Sequence, residues 1–407
     1  MSTGPPPSRR HVLRAAAITA GTAGLALAGV AVRRVTPSQF LVTSGGAPMS
    51  TPIRADPLAR FAGGVRSLLH FPAGGSGTLP DKGPLPDFSG ATGWLNTDPL
   101  SPAELRGRVV LIDFWTYTCV NWLRTLPYVR AWVAKYAEQG LTVVGVHTPE
   151  FDFERDVDNI RAQARALRVP YPIAIDSDYG IWDAFDNHYW PAVYIADAQG
   201  RIRYHHFGEG EYAMQEMVIQ QLLHEAGASD VDPDLVTVHP KGLEVAADYR
   251  SLRSPETYLG YGRGSGLTSP DGLWADTTHD YAPPDRLGLN EWAPSGMWLI
   301  SQRHASSGAA GSRLAFCFHA RDVNLVMGPA DRGAAIPFLV RLDGEPVAEL
   351  RGVDVGPGGT GILSEPRTYQ LVRQFSPVSD HLFEIEFLEP GAELYCFTFG
   401  LAAVEAD

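Results

Sequence analysis

The pattern of apolar and polar positions divides the chain into two folded regions. In the first region, two apolar runs, Val109–Phe114 and Leu141–His147, predict buried strands. Residues 192–197 and 202–207 predict a hairpin, and residues 212–225 predict a closing helix. Between the first two strands, apolar residues recur every three or four positions and predict one face of a helix: Trp122, Leu126, Val129, Val133 and Tyr136. This order of elements predicts an α/β domain.

From Ser254 onward, the pattern changes to short runs in which apolar and polar residues alternate. Phe383, Ile385 and Phe387 alternate with two glutamates, and an Asp-Gly pair at 343–344 marks a hairpin turn. Many such strands joined by short turns are typical of a β-sandwich or jelly roll. The sequence therefore predicts an α/β domain followed by an all-β sandwich.

The amino-terminal region has the pattern of an export signal. The first 55 residues contain no Asp or Glu, and a pair of arginines within residues 8–13 precedes the uncharged run Ala15–Val32. This arrangement is typical of a twin-arginine signal or an uncleaved anchor. We predict a protein that is exported, and that is secreted or anchored to the outer face of the cytoplasmic membrane.

Composition changes along the chain predict its domain boundaries. Residues 34–84 are rich in Pro, Gly and Ser and predict a flexible tether. A polar stretch between the two folded regions predicts a connector. The predicted division is a signal or anchor at 1–33, the tether at 34–84, the α/β domain at 85–228, the connector at 229–252 and the sandwich at 253–407.

Charge and cysteine content exclude several classes of function. The net charge of −13 argues against nucleic-acid binding and against docking on anionic lipid, so we expect membrane contact only through the amino-terminal segment. The three cysteines are Cys119, Cys317 and Cys396, and no C-x-x-C pair occurs. This count excludes zinc-ribbon and dithiol sites, and we expect neither a metal nor a cofactor.

Cys119 stands at the junction between the first predicted strand and the first predicted helix. Unpaired backbone N–H groups and the positive end of the helix dipole lie at such a junction. Because this environment favours thiolate over thiol, the position predicts a reactive cysteine.

The stretch from Asp113 to Pro127 resembles the active site of the thioredoxin superfamily. In that superfamily, a strand ending in D-F-W leads to C-x-x-C, and a proline follows eight residues after the first cysteine. Asp113, Trp115, Cys119 and Pro127 stand at the matching offsets, but Trp122 occupies the place of the second cysteine. The resemblance implies that Asp113 has lost its usual partner, the second thiol. We therefore expect Asp113 to be a buried carboxylate without a catalytic task, and Trp122 to pack in the core beside Cys119.

The same resemblance extends the predicted site to two loops. Pro191, preceded by Trp190, stands where the superfamily has a cis-proline that faces the active-site cysteine. Glu150 follows the second strand, at the edge where ligands approach an α/β sheet. It either tunes Cys119 or is a solvated loop carboxylate.

Residues 116–154 closely resemble the extracytoplasmic part of DipZ-type proteins, a thioredoxin-like branch associated with cytochrome c biogenesis and thiol redox chemistry. Ser254–Arg263, Phe318–Val326 and Phe397–Gly400 match the second domain of these proteins, which resembles a carbohydrate-binding module. The resemblance implies a possible glycan ligand for the sandwich, with a sugar-stacking platform or core packing as the two roles of Trp274, Trp292 and Trp298. DipZ-type proteins typically begin with a membrane electron-transfer domain, so a chain with only a signal-like segment there is expected to need an external reductant.

Three hypotheses for Cys119 remain open from the sequence. In the first, Cys119 is a working single thiol that attacks a protein or small-molecule disulfide, and an external thiol resolves the adduct. In the second, the thioredoxin fold is degenerate and acts as a cell-envelope binding or adaptor protein. In the third, Cys119 is a peroxidatic thiol, although Ile112 stands where the peroxiredoxin motif has proline.

The two remaining cysteines predict a cross-strand pair. Cys317 alternates with Phe316 and Phe318, and Cys396 alternates with Tyr395 and Phe397. If both aromatic faces point to the core and the strands are neighbours, the two thiols lie on the same side. We expect a Cys317–Cys396 disulfide to form after export.

Overall fold

The computed structural model describes residues 78–400. The predicted signal at 1–33 and most of the predicted tether lie outside the described residues. Residues 78–400 fall within one structural unit, in which an α/β domain contacts a β-sandwich. Within these residues, no helix is long and apolar enough to cross a membrane.

The α/β domain contains the elements that the apolar pattern predicts, together with two additional strands. Strands β1 and β4 each have three residues, which is too short to show a recognisable period. The strands are β1 (Gly93–Leu95), β2 (Val109–Trp115), β3 (Leu141–His147), β4 (Ile173–Ile175), β5 (Ala192–Ala196) and β6 (Ile202–Phe207). The helices are α1 (Val120–Tyr136), α2 (Val157–Ala166), α3 (Gly180–Ala184) and α4 (Tyr212–Glu225).

These strands form one mixed sheet in the order β1-β4-β3-β2-β5-β6. The central strand β2 is parallel to β3 and antiparallel to β5. Val109 and Leu111 point into one core cluster with α1 and α4, whereas Val110 and Ile112 point into a second cluster with α3. Because β2 is covered on both faces, its apolar run is continuous. The order of strands and helices around β2 confirms the predicted thioredoxin-like fold.

The second domain is an antiparallel β-sandwich, as the alternating pattern predicts. Its strands are β7 (Thr257–Tyr258), β8 (Thr278–Tyr281), β9 (Trp292–Ile300), β10 (Ala305–Ser307), β11 (Ser312–Phe318), β12 (Asp322–Pro329), β13 (Ile336–Leu342), β14 (Glu345–Pro346), β15 (Thr360–Leu363), β16 (Arg367–Arg373), β17 (His381–Phe387) and β18 (Ala392–Thr398). The main path is β14-β13-β17-β11-β9-β10-β18-β12-β16, with β15, β7 and β8 beside β13, β18 and β9.

Strand β9 connects the two layers of the sandwich. Its residues 292–295 pair with β11, and its residues 298–300 pair with β10. Gly296 between these halves has φ of +80°, a backbone conformation that glycine adopts without strain. Phe316 of β11 stacks on Phe397 of β18 with ring centroids 4.6 Å apart, although these strands are not neighbours in the sheet. The two layers therefore face each other across an aromatic core.

The ordered contacts begin before the predicted boundary at residue 85, and the predicted connector is packed. The backbone N–H of Lys82 donates to the carbonyl of Ile202 at 2.8 Å. Val231 of the connector is buried in the α/β core, and Glu244 forms a 2.6 Å salt bridge with Arg130 of α1. Residues 79–84 and the connector are thus parts of the folded structure.

The predicted Cys317–Cys396 disulfide is wrong, because both thiols are free. The two cysteines lie beside Phe316 and Phe397, whose rings meet in the core between the layers. Cys317 therefore points out of one layer and Cys396 points out of the other, in opposite directions. The alternation of aromatic and other residues correctly places each thiol on the outer face of its strand. The assumption that the two strands are neighbours is wrong, because β11 and β18 belong to opposite layers.

Of the two roles that the sequence left open for Trp274, Trp292 and Trp298, the structure supports core packing for two of these residues. Trp292 and Trp298 are buried in the sandwich core. Trp274 is 48% exposed and stacks on His279, with ring centroids 4.5 Å apart. The three indoles therefore present no common surface.

Truncation of the aromatic core tests the layer assignment. Phe316→Ala is expected to lower the free energy of unfolding by about 3–5 kcal/mol, because it removes a buried ring that packs between the layers. Phe375→Ala is the control, since this ring is 66% exposed, and we expect a change within about 0.5 kcal/mol. Urea denaturation of both variants measures the difference, and equal effects would contradict the assignment.

Candidate active site

Cys119 is the N-cap residue of α1, directly after the loop that follows β2. Burial raises the pKa of its thiol well above the usual value, and the nearby carboxylates of Glu256 and Glu150 raise it further. The backbone N–H groups of Trp122 and Asn121 act in the opposite direction and are outweighed. Burial of the thiol therefore opposes the activated thiolate that the position at the start of a helix predicts.

The carbonyl of Trp190 lies directly against the thiol. Cys119 Sγ is 3.6 Å from this oxygen, at a distance that allows the S–H group to donate. The Trp190–Pro191 peptide bond is cis, as the resemblance implies. The indole of Trp190 donates to the carbonyl of Thr148 at 3.1 Å, which fixes the loop beside the thiol.

Trp122 is the partner of Asp113. Its indole N–H donates to Asp113 Oδ2 at 2.9 Å, and the Tyr171 hydroxyl donates to the same oxygen at 3.0 Å. Burial raises the pKa of Asp113 to about 7, although both hydrogen bonds favour the ionised form. Asp113 is buried, as expected, and the tryptophan in the place of the second cysteine supplies a hydrogen-bond donor where the superfamily has a thiol.

Aromatic rings fill the space behind the thiol. Trp115 stacks on Trp122 with ring centroids 4.2 Å apart, so Trp122 packs in the core as the sequence predicts. His147 meets Trp115 edge-on and is fully buried, which lowers the pKa of its imidazole to about 3. The sequence offered no signal for His147, because it reads as the last residue of an apolar strand.

Glu154 joins the loop after β3 to the residue before the thiol. Its buried carboxylate accepts hydrogen bonds from the Thr118 hydroxyl at 2.7 Å and from the backbone N–H of Phe151 at 2.9 Å. Burial raises the pKa of Glu154 to about 7, against the effect of these donors. Sequence analysis missed this residue, since nothing in the pattern distinguishes it from an exposed loop carboxylate.

Glu150 links the α/β domain to the sandwich. Its carboxylate accepts from the Tyr258 hydroxyl at 2.6 Å and forms a 3.0 Å salt bridge with Arg263, whose guanidinium lies over the Tyr258 ring. Glu150 is therefore not the solvated loop carboxylate of one sequence hypothesis, because it is partly buried and paired with the second domain. Its charge contributes to the raised pKa of Cys119, after burial and Glu256. A cavity of about 860 Å³ opens beside Glu150 between the two domains, with Phe151 and Tyr395 in its wall.

The sandwich covers the start of α1, which the sequence did not predict. The Thr368 hydroxyl of β16 donates to the carbonyl of Thr118 at 2.6 Å. Arg124 donates to the carbonyl of Phe399 at 3.1 Å. Its guanidinium also forms a buried salt bridge with Glu209, at 3.1 Å. The second domain therefore forms one wall of the candidate site.

Across residues 78–400, no group of three or more His, Cys, Asp or Glu side chains is placed to hold a metal ion.

The fold and this site define a thioredoxin-like protein of the thiol-disulfide oxidoreductase class. Residues 82–205 match the AhpC/TSA family, and residues 254–400 match the family described as thioredoxin like C-terminal domain. The chain is 32% identical over 142 residues to the thiol-disulfide oxidoreductase YkuV of Bacillus subtilis, a match that covers 35% of this chain and 95% of YkuV. The chain therefore belongs to the thioredoxin-like thiol-disulfide oxidoreductase family.

A longer match includes the sandwich. The chain is 35% identical over 341 residues to protein DipZ of Mycobacterium bovis, which covers 80% of this chain and 44% of DipZ. It thus spans less than half the length of that relative. A solved solution structure of a thioredoxin-like protein in the oxidized form is 33% identical, with a TM-score of 0.33, and the match covers 35% of this chain and 96% of that one.

The pKa of Asp113 gives a test by pH. The native carboxyl titrates near 7 and the unfolded one near about 4, so its ionisation costs the native state stability as the pH rises between these values. The stability of the wild type relative to Asp113→Asn is expected to fall by about 3 kcal/mol between about pH 4 and pH 7. Urea denaturation across this range measures the difference.

The matched control for this test is Asp98→Asn, at an exposed position on the same domain. Its stability relative to the wild type should stay constant over the same range. The variants must be compared with the wild type because two other buried groups also change stability with pH. The raised pKa of Glu154 makes stability fall as the pH rises, whereas the lowered pKa of His147 makes it rise. A difference between wild type and Asp113→Asn that does not change with pH would contradict the assignment.

Proposed function

We propose that the chain carries out thiol–disulfide exchange through Cys119 alone, outside the cytoplasm. The observation that carries this proposal is the position of the thiol at the start of α1, against the carbonyl of Trp190 and beside cis-Pro191. Part of the Cys119 surface stays exposed, so a disulfide can reach the sulfur. The export part of the proposal is supported by the twin-arginine pattern within residues 8–32.

The proposed reaction uses one cysteine in two exchange steps. The Cys119 thiolate attacks one sulfur of a substrate disulfide, which forms a mixed disulfide and releases the other half as a thiol that takes up a proton. An external thiol then attacks the mixed disulfide and restores Cys119. Trp122 cannot perform this second attack, so the reducing electrons come from the external thiol.

The adaptor hypothesis has one observation in its favour. The pKa of the Cys119 thiol is raised by burial, whereas an activated thiol in this family of sites has a lowered pKa. In a purely structural role, the thiol would be a small apolar contact between the domains. The same raised pKa disfavours the peroxidase hypothesis, since a peroxidatic cysteine reacts as the thiolate.

Formation of a covalent adduct tests the proposal. Full-length protein incubated with 2-hydroxyethyl disulfide is expected to gain one adduct on Cys119, detected by intact mass and peptide mapping. The rate should increase with pH to above about 9, because the thiolate is the nucleophile and its pKa is raised. Cys119→Ser should lose this adduct and Cys317→Ser should keep it. An adduct on Cys119 that forms only in denatured protein would instead support the adaptor hypothesis.

Replacement of the tryptophan by the missing cysteine tests whether the fold still supports dithiol chemistry. Trp122→Cys is expected to gain catalytic disulfide reductase activity, because the new thiol lies one helical turn from Cys119 and beside Asp113. The variant should also lose about 3–5 kcal/mol of stability, since the buried indole leaves a cavity. Trp122→Ser forms a similar cavity without a thiol. If the serine variant gains equal activity, the interpretation is wrong.

A further inference from the structure

The cavity between the two domains has no part in the exchange steps described above. Its volume of about 860 Å³ lies within the range of about 300–1,000 Å³ that is typical of ligand sites. One side is lined by residues within 149–159 of the α/β domain, and the other side is lined by turns and strand ends of the sandwich. A ligand in this cavity therefore contacts both domains.

Aromatic side chains form an apolar wall of the cavity. Phe151 and Phe153 stack with ring centroids 5.6 Å apart, and Tyr395 of β18 meets Phe153 edge-on at 4.8 Å. Phe151 and Tyr395 are only 9% and 7% exposed. The guanidinium of Arg263 covers the ring of Tyr258, 3.6 Å from its centroid. These rings therefore leave little open face on which a sugar could stack, whereas their edges can contact an apolar side chain.

Charges of both signs line the rest of the cavity. Three ion pairs along its walls join an arginine of the sandwich to a carboxylate of the α/β domain: Arg263–Glu150, Arg303–Asp152 and Arg332–Asp156. Each of these arginine side chains is more than half exposed. Because exposed ion pairs contribute at most about 1 kcal/mol, these groups can exchange partners with a ligand at little cost. A ligand that matches the cavity therefore combines donors, acceptors and apolar groups.

Two contacts connect the thiol to the cavity wall. Cys119 Sγ is 3.6 Å from the carbonyl of Trp190, and the Trp190 indole donates to the carbonyl of Thr148 at 3.1 Å. The next residue, Pro149, lines the cavity. A few residues of extended chain, at about 3.3–3.6 Å each, span such a distance. One chain can therefore place its disulfide at Cys119 and its flanking residues in the cavity.

We propose that this interdomain cavity binds an extended segment of a substrate polypeptide whose disulfide reacts at Cys119. A polypeptide supplies the required groups, because its backbone carries N–H and C=O groups and its side chains carry apolar and charged ones. The inference rests on the proposed exchange activity and names its substrate class. It gives the second domain a role in substrate binding, since the sandwich contributes the three arginines and Tyr395.

The reaction with a peptide disulfide balances without another reactant. The probe is a peptide whose single cysteine is linked to 2-mercaptoethanol. The Cys119 thiolate attacks the sulfur of the peptide cysteine, and the S–S bond breaks. 2-Mercaptoethanol leaves as a thiolate and takes up the proton that Cys119 lost. The product is a Cys119–peptide mixed disulfide whose flanking residues lie in the cavity.

Two peptides of equal length test the proposal. In the test peptide, phenylalanine, leucine, lysine and glutamate flank the cysteine on both sides, and in the Gly/Ser peptide glycine and serine replace them. Full-length protein is reacted with each peptide, and Cys119 adduct formation is followed by intact mass. Each rate is divided by the rate of the same peptide with N-acetylcysteine, which removes differences in intrinsic reactivity. We expect the normalised rate to be at least about tenfold higher for the test peptide.

A matched pair of tryptophan variants assigns this preference to the cavity. Ala330 is an exposed residue of the cavity wall, so Ala330→Trp fills part of the space without removing a polar side chain. It should reduce the ratio of the two normalised rates several-fold. Ala310→Trp is the control and should keep the ratio, because Ala310 is also exposed but lies outside the cavity, in the turn before β11. A ratio near one in the wild type, or one that Ala330→Trp retains, would overturn the proposal.

Non-covalent binding separates failure of this inference from failure of the proposed function. Cys119→Ser forms no adduct at this position, but its cavity remains. A fluorescein-labelled test peptide with serine in place of cysteine should bind this variant in fluorescence anisotropy, and addition of Ala330→Trp should weaken the binding. Binding without any adduct in the wild type would refute the exchange activity and keep the cavity site. Absence of peptide binding would refute the cavity site, and calorimetric binding of maltohexaose in its place would identify a glycan site instead.

Discussion

The site depends on how the first turns of α1 are held between the two domains. The Thr118 carbonyl and the Arg124 guanidinium are both bonded to the sandwich, and Arg124 is also paired with Glu209 in a buried salt bridge. A buried ion pair contributes little net stability, but loss of one partner leaves an uncompensated charge, so the pair specifies one position of the helix relative to the second domain. Cys119 lies between these two anchors. Its burial, its raised pKa and its polar surroundings all follow from this single constraint.

Trp122, in the place of the second cysteine, fills the space behind Cys119 and is packed in the core. Trp122 stacks on Trp115 and donates to Asp113, so the carboxylate keeps one indole and one phenol donor in a buried position. The raised pKa of Asp113 shows that these two donors do not fully replace water. Asp113 lies on the buried strand β2, so the fold holds this carboxylate in the core whichever residue stands at position 122.

The sequence predicts the parts of the structure that local pattern controls. The apolar run of β2, the helical period after Cys119 and the alternation in β17 determine which faces are buried, and the structure confirms them. Long-range pairing is different. Alternation placed Cys317 and Cys396 outside their layers, but no local pattern shows that β11 and β18 belong to opposite layers. The cover over Cys119 was equally invisible, because Asn324 and Gln370 have the spacing of ordinary solvent-facing strand residues. Their burial arises only when the second domain docks.

Docking of the sandwich controls both the access to the thiol and its reactivity. Burial raises the pKa of Cys119, and the carboxylates of Glu256 and Glu150 raise it further. The thiolate is the form that attacks a disulfide or an oxidant. The contacts that hold α1 against the second domain therefore also protect the resting protein from indiscriminate oxidation.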